Sequence, residues 1–87
     1  MSGVLRRPSN VGVVEEGGVV YLGALPAGPL VVLDGTAPVV WRAAQCVVRA
    51  EVAARVADDL GLEASEIAGS VEDFLDDLVA RGLLEAS

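Results

Sequence analysis

Apolar residues change their spacing along this chain near Trp41. Before it they come in short runs: residues 11–15, then Val19-Val20-Tyr21-Leu22, then Leu30-Val31-Val32-Leu33. Such runs, rich in β-branched residues and bounded by glycine, proline and aspartate, predict strands. Gly12 interrupts the first. Glu16-Gly17-Gly18 forms a turn, and Pro26-Ala27-Gly28-Pro29 reverses the chain so that residues 30–34 return antiparallel to the preceding strand. After Trp41 the period moves from two to about 3.6. A short helix is expected over residues 37–45, with Thr36 offering a capping oxygen and Pro38 in the first turn. A second helix over residues 49–60 gathers Val52, Ala53, Val56 and Leu60 on one face, carries Glu51 four residues before Arg55, and ends at Gly61. The last helix starts near Ala64, passes Gly69 and presents Ile67, Val71, Phe74, Leu75 and Leu78 as one stripe until Gly82 stops it. Leu83-Leu84 then folds back onto the core. Ser70-Val71-Glu72-Asp73 offers a competing start for this helix. Residues 1–9 read as a flexible tail, and residues 10–87 as one domain of α+β class.

Composition narrows the function. Hydrophobic residues make up 53% of the 87 and aromatics only 3%, so the core is built from Val, Leu and Ala. A net charge of −7 repels phosphate backbones and anionic bilayers, which argues against nucleic acid and membrane as partners. Residues 17–33 are uncharged, but glycines and prolines break them into hairpin rather than membrane span. Arg6 and Arg7 precede no apolar run, so no signal peptide is expected, and one cysteine admits no internal disulfide. A cytoplasmic monomer is the resulting expectation.

Candidate chemistry is sparse. There is no histidine, the commonest general base and metal ligand. Cys46, beside Val47-Val48, reads as a small apolar residue rather than a nucleophile. The doublets Glu15-Glu16, Asp58-Asp59 and Asp76-Asp77 suit solvated faces, since neighbours on a helix point about 100° apart. No calcium-loop spacing, cysteine pair or glycine-rich phosphate loop is present, so neither a cofactor nor catalysis is expected. What remains is a binding module. Pro29 at the head of residues 30–34 marks an edge strand, whose open backbone groups another extended chain can complete. The same apolar run serves equally well for a strand with both faces in the core.

Val19-Val20-Tyr21-Leu22, Gly28, then Leu33-x-Gly35-Thr36-Ala37-x-x-x-Trp41 resemble the PqqD-like family. Downstream, Glu51-Val52-Ala53 with Val56-Ala57, and Val71-x-x-Phe74-Leu75-x-x-Leu78-x-x-x-Gly82-Leu83-Leu84, are similar to its last two helices. The likeness covers residues 11–84 through order and spacing rather than one diagnostic motif. It implies a winged-helix-like fold, a three-stranded antiparallel sheet followed by three helices. It also implies a recognition element for ribosomally made, post-translationally modified peptides, a non-catalytic peptide chaperone. The leader peptide of the precursor would bind as an added strand along the third strand, beside the third helix. The site residues then expected are Leu30, Val31, Val32, Leu33 and Asp34 on the strand, with Val71, Phe74, Leu75, Asp77 and Leu78 on the helix.

Trp41 after Thr-Ala-Pro-Val-Val, in a free-standing domain of this length, is similar to the leader-binding half of split lasso-peptide B proteins. That likeness implies a separate cysteine protease, or another maturation enzyme, as partner and a Tyr-x-x-Pro segment in the leader. Two positions depart from the family pattern. Asp34 stands where Asn is common, and Ser70 where an acidic residue is common, so contacts through those side chains do not transfer. A different class, an acidic carrier protein bearing a phosphopantetheine arm, fits length and charge but lacks Asp-Ser-Leu at a helix start.

Overall fold

The computed structural model describes residues 3–28, 30–45 and 47–86. Pro29 and Cys46, on which two of the expectations above rest, lie outside the described residues. Strands β2 (Val11–Glu16), β3 (Val19–Ala24) and β4 (Leu30–Leu33) form an antiparallel sheet in the order β2-β3-β4. Helices α1 (Ala37–Ala43), α2 (Val52–Leu60) and α3 (Ala64–Ala80) follow. The class is α+β, as the sequence predicts.

The β2–β3 turn shows how local chemistry sets the register. Gly17 and Gly18 have φ of 60° and 79°, the left-handed pair of a two-residue hairpin loop, and Glu16 pairs with Val19 across it. Alternation then puts Val20 and Leu22 in the core, both fully buried, and Tyr21 on the outer face. The β3–β4 connection depends on a close approach. The Gly28 N–H donates to the Ala24 carbonyl at 2.6 Å, and a Cβ at residue 28 would sit 2.5 Å from that oxygen.

A second sheet was not foreseen. Residues 4–6, assigned to the tail, form β1 (Val4–Arg6), the centre of a small antiparallel sheet between β5 (Val47–Val48) and β6 (Glu85–Ala86). Leu5 is fully buried there, which corrects the flexible-tail expectation for these residues. Its pairing partners lie 42 and 81 residues on, Val47 and Ala86, so nothing local announces the strand.

The helices run close to expectation, with differences at their ends. The Thr36 side chain makes no cap bond; its backbone carbonyl accepts the Val39 and Val40 N–H groups instead. The second helix begins as a 3-10 turn, Arg49–Glu51, before α2 proper. Arg49 there reaches α3, donating to Glu72 Oε1 at 2.9 Å and to Asp76 Oδ1 at 2.6 Å. The hydrogen bond to Glu72 lifts the guanidinium above its already high range. α3 runs unbroken through Gly69, started by a capping box in which the Glu66 carboxylate accepts the Glu63 N–H at 3.0 Å. Ser70 therefore starts no helix. Val71, Leu75 and Leu78 of the stripe join Leu22, Leu33, Trp41, Val52, Val56, Leu83 and Leu84 in one apolar core.

Candidate functional site

Sheet order makes β4 an edge: its sequence neighbour β3 covers one side only. Which backbone groups face outward follows from the hairpin. A two-residue loop makes Glu16 and Val19 a mutually hydrogen-bonded pair, so Val14–Tyr21 and Gly12–Gly23 are bonded pairs too. Val20 and Leu22 must then point their backbone groups the other way, toward Leu33 and Val31, their register partners. Two flanking bonds agree: Leu25 N–H donates to the Asn10 carbonyl on the β2 side, and Ala24 accepts from Gly28 on the β4 side. Val31 and Leu33 are thus committed to the ladder. Leu30 and Val32 direct their N–H and C=O groups to the open edge.

Side chains follow the same parity. Leu33 is buried and Val31 packs partly against the core, whereas Leu30 is 72% and Val32 52% exposed. Val32 stands in register with Tyr21, which stands in register with Val14, itself exposed. This apolar row across the outer face stops at β4, with no strand beside it among the described residues. A fourth strand would extend it.

Beyond the C-terminal end of β4 lies an apolar pocket of about 420 Å³. Asp34, Thr36, Ala37 and Val40 wall one side; Val56, Leu60 and Leu62 another; Ile67, Ser70, Val71 and Phe74 of α3 the third. The pocket exists because α1 leaves β4 almost at once and α2 turns at Gly61, leaving Leu60 and Leu62 only half covered.

Of the residues expected at the site, Leu30 and Val32 form the open edge, and Asp34, Val71 and Phe74 line the pocket. Leu75 and Leu78 are fully buried, so they support the wall from beneath rather than offer surface. Asp77 is exposed, away from the pocket lining, and pairs with Arg81 at 3.0 Å. Thr36, Ala37, Val40, Val56, Leu60, Leu62, Ile67 and Ser70 line the pocket without having been singled out. The Leu60-Gly61-Leu62 sequence was the available signal: two large apolar residues flanking a helix stop cannot both turn inward.

Every buried side chain among the described residues is apolar, and the groups of acidic residues include none arranged to hold a metal ion. No described helix is long and apolar enough to cross a membrane. The site offers backbone hydrogen bonds and apolar volume, the chemistry of binding an extended chain.

No match was found among curated proteins or among solved structures. A family model described as Coenzyme PQQ synthesis protein D (PqqD) matches residues 15–84, from the end of β2 to the last core leucine. On that match, which spans both the open strand and the helices that wall the pocket, the chain belongs to the PqqD family.

Proposed function

We propose that this protein binds the leader region of a ribosomally synthesised precursor peptide by strand addition along β4, and presents it to a separate maturation enzyme. The PqqD family is one of precursor-peptide-binding domains in such pathways. The single observation that carries the binding mode is the parity of β4: Leu30 and Val32 have both unpaired backbone groups and exposed apolar side chains on the open edge. A peptide strand there gains main-chain hydrogen bonds, and its alternate side chains meet the outer apolar row and the pocket. The domain acts without catalysis of its own, and the acting partner is a lasso-type cysteine protease or a related modifying enzyme. In this reading the fold is of winged-helix type, and the apolar pocket walled by α1, α2 and α3 at the end of β4 supplies the cleft. A carrier role has less to support it, since Ser70 lies inside α3 rather than at a helix start.

Amide hydrogen exchange tests the mode directly. In the free protein Val31 and Leu33 amides exchange slowly and Leu30 and Val32 amides fast. Adding a synthetic leader peptide that the protein binds slows exchange at Val32. A tightly bound leader that leaves Val32 exchanging freely would reject strand addition at this edge.

A further inference from the structure

Asp34 is the one charged residue in the lining of the apolar pocket. Its backbone carbonyl is committed to the Ala37 N–H at 3.1 Å, which fixes the residue at the mouth between β4 and α1. Its carboxylate has no ion-pair or hydrogen-bond partner among the described residues. The five ion pairs among the described residues use Glu15, Glu72, Asp76, Asp77 and Glu85, and no described side-chain hydrogen bond reaches Asp34. Asp34 follows Leu33 directly, the first residue beyond the end of β4. A chain laid along the open edge therefore runs directly into a carboxylate set beside an apolar hole.

We infer that Asp34 selects the charge of the bound peptide, so that this pocket takes an extended segment in which a bulky apolar side chain is neighboured by Lys or Arg. This deepens the proposed leader binding and rests on it. Three observations point the same way. The pocket's remaining ten lining residues are uncharged, so a bulky apolar side chain fills it without loss. A carboxylate at its rim favours a cation within about 4 Å and disfavours another carboxylate. The chain as a whole carries −7, so its net field disfavours an acidic peptide and draws in a basic one. Neighbouring Thr36 and Ser70 supply hydroxyls but no competing charge.

The test uses a phage-displayed library of random peptides, selected in parallel on the wild-type protein and on Asp34→Asn. Asparagine keeps the backbone bond to Ala37, and the exposed position keeps the fold, which thermal melts confirm. Wild type enriches peptides with Lys or Arg beside a bulky apolar residue; Asp34→Asn keeps the apolar preference and loses the basic one. A resynthesised wild-type-selected peptide then binds Asp34→Asn about three- to fivefold more weakly at low salt, as expected for a part-exposed ion pair. The difference shrinks toward nothing at roughly 0.5 M salt. Identical enrichment on both proteins overturns the role of Asp34 alone. Peptides that bind a folded Val32→Pro variant as well as wild type, or no enrichment at all, overturn the strand-addition reading beneath it.

Discussion

Proline placed at Val31 or at Val32 asks opposite things of the same strand. Proline removes one backbone donor and puts a ring where that hydrogen was. At Val31 the lost donor is the one that satisfies the Leu22 carbonyl, and Leu22 is fully buried. Leaving that oxygen unpaired costs about 1–3 kcal/mol, and forcing the ring against β3 adds about 1–3 kcal/mol more. A domain of this size holds about 4–13 kcal/mol in total, at roughly 0.05–0.15 kcal/mol per residue. With each kcal/mol worth about 4–8 °C, Val31→Pro lowers the melting temperature by ten degrees or more, or abolishes the fold. At Val32 the ring points to solvent, no ladder bond is lost, and the change in stability stays within about 1 kcal/mol. The same ring blocks an incoming strand. Leader affinity then falls by more than the roughly 0.5–1.5 kcal/mol of one hydrogen bond, which by itself is about two- to thirteenfold. Circular dichroism melts and fluorescence anisotropy with a labelled leader read both quantities. Equal destabilisation by the two substitutions would refute the register assigned to β4. A folded Val32→Pro that binds leader as wild type does would place the peptide elsewhere.

Three further outcomes follow from the packing. Gly69→Ala raises the melting temperature by about 4–8 °C, because Gly69 is helical and exposed, its added Cβ meets nothing within 4 Å, and alanine is favoured by about 1 kcal/mol in a helix interior; a lower melting temperature would contradict this. Phe74→Ala, at a pocket residue only partly buried, costs less stability than the roughly 3–5 kcal/mol of a fully buried Phe while weakening leader binding in titration calorimetry; full affinity in the folded variant would remove Phe74 from the site. Arg49→Met removes the tie from the 3-10 turn to Glu72 and Asp76 and costs about 1 kcal/mol in denaturant melts at low salt, an effect that high salt reduces; no cost at low salt would mean the exposed carboxylates lose nothing with their partner.

What could be read ahead of the structure follows the range of the forces involved. Alternation, turn glycines and helical stripes act over a few residues, so β2–β4, α2 and α3 were visible with small errors at their ends. β1 was not, because three residues between polar neighbours become a strand only when Val47 and Ala86 arrive beside them. The Thr36 cap failed for a similar reason: a serine-like side chain suggests a bond, but Pro38 already presets the first turn and the backbone carbonyl serves the free N–H groups. At the candidate site, a strand of Leu-Val-Val-Leu could not tell edge from core. Sheet order decides that, and sheet order is tertiary. Leu75 and Leu78 share the stripe with Val71 and Phe74, yet only the latter pair borders the pocket, since a 3.6 period fixes a face but not where its cover stops.

The pairing of β1 with β6 bears on the order in which the molecule assembles and comes apart. Arg6 bonds Glu85, 79 positions further on, whereas Gly23 meets Leu30 seven positions on. Closing the longer loop costs about 2 kcal/mol more chain entropy. Chain entropy therefore favours forming the β2–β3–β4 meander before the small sheet, whose β6 must travel the length of the chain to reach Leu5. Fluctuation takes the reverse path: the two-residue ladders of β1 with β5 and β6 open more readily than the four- and six-residue ladders of β4 and β2 with β3. Such opening loosens the chain's two ends together and leaves β4 held by its own ladder, so the edge that receives a peptide stays in place while the clasp breathes.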